Sequence, residues 1–364
     1  MKIKEMIRPL EEMAPTSLQE TYDNSGLLIG SPDDDIHGVL ISLDLTEIVI
    51  EEAIKKNCNL IITHHPIIFS GMKRINGKNA TERIVSNSIK NNIAVYAIHT
   101  NLDNVDTGIN KILCDKLGLK NCRILAPKKD LLRKLVTFCP VDHADKVRQA
   151  LFDAGAGSIG NYDNCSFNTA GTGSFKGSSN SNPFAGEKGK QHFENEIRIE
   201  TIYPVYREEI VVQALLKVHP YEEVAYDLFK LENKFNRTGA GMIGELQEKT
   251  TEINFLKFVK TVTGTGLIRH SRFTGNPIHK VAVCGGSGSF LIRDAMSAGA
   301  DIFITGDVKY HDFFEAENKM LIADIGHFES EQFAKELIYN VLKKNFPTFA
   351  VLISENNTNS VNYL

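Results

Sequence analysis

The chain has 364 residues, of which 42% are hydrophobic and 24% charged, with a formal net charge of −4. This composition is that of an ordinary globular protein. It excludes collagen-like, wholly disordered and coiled-coil chains, and it lacks the basic excess that would make nucleic acid the expected partner. No apolar run reaches the roughly 18–20 residues of a membrane helix.

The opening segment, MKIKEMIRPLEEMAP, is charged throughout and has no signal-peptide stretch, so a cytoplasmic protein is expected. Up to about residue 125, strand-like runs (Val39–Leu43, Leu60–Thr63, Ile93–Ile98) alternate with helical ones (Thr46–Asn57, Ala80–Asn91, Gly108–Leu117). Short runs of Ile and Val separated by helices predict a layered α/β sheet.

The middle block, 126–244, repeats internally. Pro140-Val141 recurs 64 residues later as Pro204-Val205, and Gln149-Ala150-Leu151 recurs as Gln213-Ala214-Leu215. Each half reads as strand, Pro, amphipathic helix, strand, which gives a ferredoxin-like βαββαβ domain. Between the halves, Gly155–Gln191 is rich in Gly, Ser and Asn. It predicts a strand near Asn164–Thr169 followed by a mobile surface loop.

The third block, 245–364, echoes the first. Ile61-Ile62-Thr63-His64-His65 aligns with Phe303-Ile304-Thr305-Gly306-Asp307, and His99–Asp103 and His327–Glu331 are both His-x-x-x-acid. The expected fold class is α/β. A pseudo-duplicated layered domain (1–125 and 245–364) is interrupted by the ferredoxin-like domain at 126–244. The six cysteines form no CxxC pair and read as reduced, structural thiols.

Three motifs carry candidate chemistry, each where an apolar strand ends, which is where ligands gather in open α/β sheets. His64-His65-Pro66 offers two imidazoles, able to serve two metals or a metal and its neighbour; one of the pair can equally be a hydrogen-bonded structural residue. In His99–Asp103, Asp103 is a hard oxygen donor and His99 a ligand or proton carrier, although Asn-Leu-Asp is also turn and cap chemistry. In Gly326–Glu331, a helix starting at Gly326 would put His327 and Glu331 on one face at i and i+4. Three histidines and two carboxylates suit a dinuclear site, in which two metals roughly 3.5–4 Å apart activate water for hydrolysis.

Around that centre, Asp307, Lys309 and His311 are candidates for substrate contact or proton transfer. Gly286 and Gly288, in the Gly-rich turn Gly285–Ser289 after the strand Val281–Cys284, are weak candidates for holding phosphate, with a tight βα turn as the alternative.

Together these motifs resemble the Nif-three-like family, whose bacterial members are often named GTP cyclohydrolase 1 type 2 homologs. The resemblance extends to Asp23–Leu27 and Asn357–Asn359. It implies a dinuclear site of His64, His65, Asp103, His327 and Glu331, with Glu331 as the bridge. It implies two divalent ions per chain, zinc first with iron or manganese as alternatives, and a homo-hexamer around a cavity. It also implies metal-activated water attack on a purine-type heterocycle, GTP or another nucleotide; His99 and His311, by their chemistry, are the candidate proton shuttles. The alternative function is a non-enzymatic metal-binding or regulatory assembly. His219-Pro220-Tyr221-Glu222 and the residues after it resemble the PII- and CutA-related insert of longer members; His219 and Glu222 are read either as metal ligands or, for His219, as a buried structural residue at a strand start.

Overall fold

Strands made of uninterrupted Val, Ile, Leu and Ala are buried on both faces, and such strands pair in parallel under flanking helices. In the computed structural model, which describes Met1–Leu364, the strands Val39–Ser42, Leu60–Thr63 and Ala94–Ala97 are wholly buried, adjacent and parallel. Gly26–Ile29 pairs antiparallel at one edge and Val351–Ile353 parallel at the other, completing five strands. The helices of this sheet begin where polar caps allow. Thr46 accepts from the amide of Val49 to start Glu47–Lys55, and Asn79 accepts from Glu82 to start Ala80–Lys90. Val49, Ile50 and Ala53 pack with Leu40, Ile61 and Val95 in one apolar cluster.

A second, six-stranded sheet runs in the order Arg269–His270, Leu321–Asp324, Ile302–Gly306, Ile278–Ser287, Phe235–Thr250, Lys120–Lys128. The strands beginning at Ile278, Ile302 and Leu321 are parallel neighbours, as are the three central strands of the first sheet. Val281, Val283, Ile302, Ile304 and Leu321 form its core with Phe255 and Val259 of the helix Glu252–Thr263.

The chain divides into two compact units, Met1–Pro127 with Arg237–Leu364, and Lys128–Asn236. The boundary expected at 244 falls inside the strand Phe235–Thr250. Met242 there pairs with Val283, so these residues belong to the six-stranded sheet.

Within Lys128–Asn236 the elements follow as strand Leu132–Pro140, helix Ala144–Asp153, strands Phe167–Lys176 and Gln191–Pro204, helix Glu208–Val218 and strand Tyr226–Lys230. In space the strands beginning at Phe167, Gln191, Leu132 and Tyr226 lie in that order, every neighbouring pair antiparallel. Both helices supply the core, with Val147, Leu151, Val211 and Leu215 against Leu135 and Ile199. The strand expected at Asn164–Thr169 instead runs from Phe167 to Lys176, paired along its length from Phe167↔Glu200 to Lys176↔Gln191. Its Gly, Ser and Asn residues have little strand signal of their own; pairing with Gln191–Pro204 holds them extended.

Candidate metal centre

Leu60–Thr63, Ala94–Ala97 and Leu321–Asp324 end in His64-His65, in His99 and the short helix Thr100–Asp103, and in the helix His327–Glu331. The five residues His64, His65, Asp103, His327 and Glu331 come together. Glu331 is the centre of the arrangement. Its Oε2 lies 2.9 Å from His65 Nε2 and 3.0 Å from His327 Nε2, and its Oε1 lies 3.8 Å from His64 Nε2. Asp103 Oδ1 is 3.6 Å from the same His64 nitrogen. One carboxylate thus belongs to two triads, His64–Asp103–Glu331 and His65–His327–Glu331, each able to hold a metal ion.

Each imidazole is aimed by an acceptor behind it. His64 Nδ1 donates to the carbonyl of Ile98 at 2.8 Å, His65 Nδ1 to Asp44 Oδ1 at 2.7 Å and His327 Nδ1 to Asp307 Oδ2 at 2.7 Å. Carbonyl and carboxylate oxygens only accept, so in its neutral form each ring keeps its proton on Nδ1 and turns the Nε2 lone pair inward. That is how metal-ligating histidines are oriented. His99 follows the same rule, with Nδ1 2.7 Å from Asp23 Oδ1, and its ring lies 5.3 Å from those of His64 and His65.

The donor set fits a cation on two counts. His64 Nε2 and Asp103 Oδ1 are buried and have no hydrogen-bond partner, which is costly for polar atoms that hold nothing. Donor atoms about 2.0–2.2 Å from a tetrahedral ion stand about 3.3–3.6 Å apart, and the separations above bracket that range.

The charges agree. Burial opposes ionisation of Glu331, yet His327 and His65, both within hydrogen-bond distance, and the nearby His64 ring hold its carboxyl well below the usual range. Burial also disfavours charge on His65, but Asp44 and Glu331 overcome it and push the ring up to about 10; His327, against Glu331 and Asp307, is pushed up to about 9. Burial keeps His64 below its ordinary value. Asp103 is pushed up by burial and then by the charge of Glu331. Asp23 is held low by His99 and Thr100 against the effect of burial.

The remaining candidates separate from this cluster. Asp307 orients His327 and accepts from Ser287 Oγ at 2.6 Å, so it supports the centre from behind. Lys309 and His311 are exposed; His311 packs edge-on to Tyr310. Neither lines the cavity over the cluster. Asp307 has a left-handed backbone, φ +54°, and the chain beyond it runs to the surface. The Gly-rich turn has its amides engaged within the fold: those of Gly285, Gly286 and Gly288 donate to Asn110, Ser330 and Thr305. The turn instead makes room, because a Cβ on Gly286 would collide with Glu331 Oε1. His219 and Glu222 form no metal group. His219 Nε2 donates to the Phe138 carbonyl and its Nδ1 accepts from the Tyr221 amide.

Sequence reasoning missed Asp44. It follows the buried strand Val39–Ser42 much as His64 follows Leu60–Thr63, and that position was its signal. Thr358 Oγ1 in turn holds Asp44 Oδ2 at 2.9 Å.

The cluster opens into a cavity of about 740 Å³ walled by Tyr22, Phe69, Phe290, His99 and Asn110, with no Lys or Arg in its lining. The body is mixed α/β, with a histidine–carboxylate cluster that could hold metal ions at the ends of its parallel strands. The chain belongs to the Duf34/NIF3 (NGG1p interacting factor 3) family, whose model matches residues 1–360.

Among its relatives, the GTP cyclohydrolase 1 type 2 homolog of Halalkalibacterium halodurans is 42% identical over 96% of this chain and 95% of its own length. The Bacillus subtilis protein of the same name is 38% identical over 99% and 98%. A crystal structure of a Bacillus cereus protein related to NIF3 superposes with a TM-score of 0.89 at 39% identity, covering 100% of this chain and 99% of that one.

Proposed function

We propose that the chain is a metal-dependent hydrolase with a dinuclear centre: His64 and Asp103 for one ion, His65 and His327 for the other, and Glu331 between them. The single observation that carries this reading is the placement of the two Glu331 oxygens, one toward each triad. The ions would be divalent, zinc first, with iron or manganese as alternatives. Such ions polarise a substrate oxygen or nitrogen and lower the pKa of water.

The chain's own residues do the rest. Tyr22 and Phe69, whose rings stack 6.3 Å apart, and Phe290 offer apolar faces to a planar heterocycle. His99, with Nδ1 committed to Asp23, is left with Nε2 to give or take a proton. GTP is the first substrate to test, because close relatives carry that activity in their names. The lining has no Lys or Arg to meet a triphosphate, and the amides of the Gly-rich turn are already engaged, so only the ions would answer its charge. This favours a heterocycle of lower charge. It also supports the second reading, a metal-binding or regulatory assembly without turnover.

In this proposal the protein works in the cytoplasm as a homo-hexamer. Lys128–Asn236 is then a ferredoxin-like inserted domain in a pseudo-duplicated α/β frame, and the second reading makes that domain a sensor.

The test is turnover by protein loaded separately with zinc, manganese and iron(II), with formate release from GTP and from uncharged purines followed beside metal content. Turnover in the native protein that vanishes in Glu331→Gln supports the hydrolase. Two tightly held ions per chain without turnover select the metal-binding assembly, and no bound metal overturns both.

A further inference from the structure

Lys128–Asn236 contains its own cavity, about 760 Å³, far larger than a water pocket and within the range of small-molecule sites. Its floor is the sheet face carrying Phe138, Glu196 and Arg198, and its walls include Phe175, Phe184 and Tyr221. Glu196 sets its character. This side chain is only 8% exposed, and its one hydrogen bond comes from Tyr221 Oη at 2.7 Å. No cation answers it. Arg198 is paired with Glu200 at 2.8 Å. Nearby His219 has both ring nitrogens committed to backbone groups, which fixes it as the neutral tautomer.

The backbone is shaped around this carboxylate. A side chain at Gly173 would collide with it, so the strand Phe167–Lys176 gives up a side chain where Glu196 lies. The aromatic rings complete the site. Phe175 and Phe184 stand 6.0 and 6.1 Å from the ring of Tyr221. The turn bearing Phe184 is tied down by Glu222, which accepts from the amide of Asn182 at 2.6 Å. A buried carboxylate calls for a positive partner, and rings held around such a charge present their negative faces to a cation.

We infer that this cavity binds a small organic ammonium ion, its charge against Glu196 and its apolar groups among Phe175, Phe184 and Tyr221. The site shares no residue with the metal cluster and does not depend on its chemistry.

Calorimetry of the full-length protein with choline, and with its uncharged carbon analogue 3,3-dimethylbutan-1-ol, tests this. Choline should bind about tenfold or more tightly than the neutral analogue, and Glu196→Gln, which keeps the shape and the Tyr221 contact, should erase that difference. Phe184→Ala, at an exposed ring, should weaken choline about fivefold or more without disturbing the fold, and it serves as the test should Glu196→Gln misfold. Equal binding of the two probes, unchanged choline affinity in the variants, or no choline binding below about 10 mM overturns the assignment.

Discussion

Gly286 and Glu331 occupy one space. The backbone of Gly286, at φ +62°, passes where only a hydrogen fits beside the Glu331 carboxylate. A left-handed position costs a side-chain-bearing residue about 1–2 kcal/mol, and at this one the added methyl also displaces Glu331. Gly286→Ala is therefore expected to lose metal from both triads while lowering the stability of the metal-free protein by only about that amount. Elemental analysis of the purified variant beside its unfolding temperature checks this; full metal content would show that Glu331 is not held in place by the turn.

Asp44 aims His65 and touches no other member of the cluster within hydrogen-bond reach. Removing such a supporting carboxylate weakens metal affinity about 10- to 100-fold. Asp44→Asn should show this loss for the ion held by His65 and His327, and leave the His64–Asp103 ion in place. Competition with a chromophoric chelator would resolve one weakened and one unchanged site. Two equally weakened sites would argue against separate triads.

Removing the ions should destabilise the fold. A ligand present at about 100 to 1,000 times its Kd stabilises by about 2.7–4.1 kcal/mol. A chelator should accordingly lower the unfolding temperature of the native protein, and readdition of zinc should restore it. The same treatment should leave the unfolding temperature of Glu331→Gln nearly unmoved.

Glu52 gives a pH dependence far from the cluster. Burial opposes its charge, but Lys56, Ser354, the Glu355 amide and Asn356 all bond to it and hold its pKa at about 2. A carboxyl whose folded value is depressed stabilises above its ordinary pKa near 4.5, and that contribution disappears as pH falls through the folded value. Glu52→Gln should thus cost about 1.5–3 kcal/mol at pH 7, and the gap from the native protein should close between pH 4.5 and 2. Urea titrations at several pH values measure this; a gap independent of pH would assign the effect to packing.

How much of this was readable in advance differs from residue to residue. His64 and His65 were legible because four apolar residues precede them and no turn chemistry explains two adjacent imidazoles. Glu331 was legible through its i+4 spacing from His327. Asp44 was not, since one Asp after a strand is also an ordinary turn residue, and its role exists only through contact with His65. Lys309 and His311 have suitable chemistry, but they follow a left-handed residue whose conformation no local pattern announced. The strands Lys120–Lys128 and Phe235–Thr250 were missed because they carry exposed Lys, Asn, Arg and Glu; pairing with strands far off in sequence holds them.

The parallel pairing of Val351–Ile353 with Val39–Ser42 joins segments more than three hundred residues apart, and Glu52 fastens the turn that follows it. During synthesis the first sheet must therefore wait, one apolar flank unpaired, until nearly the whole polypeptide has left the ribosome. Residues 128–236 face no such delay, for every strand partner of their sheet is made within the same stretch. Order of manufacture and order of completion run opposite ways in this molecule, and a chain released early would expose the edge at Val39–Ser42 that invites association with its neighbours.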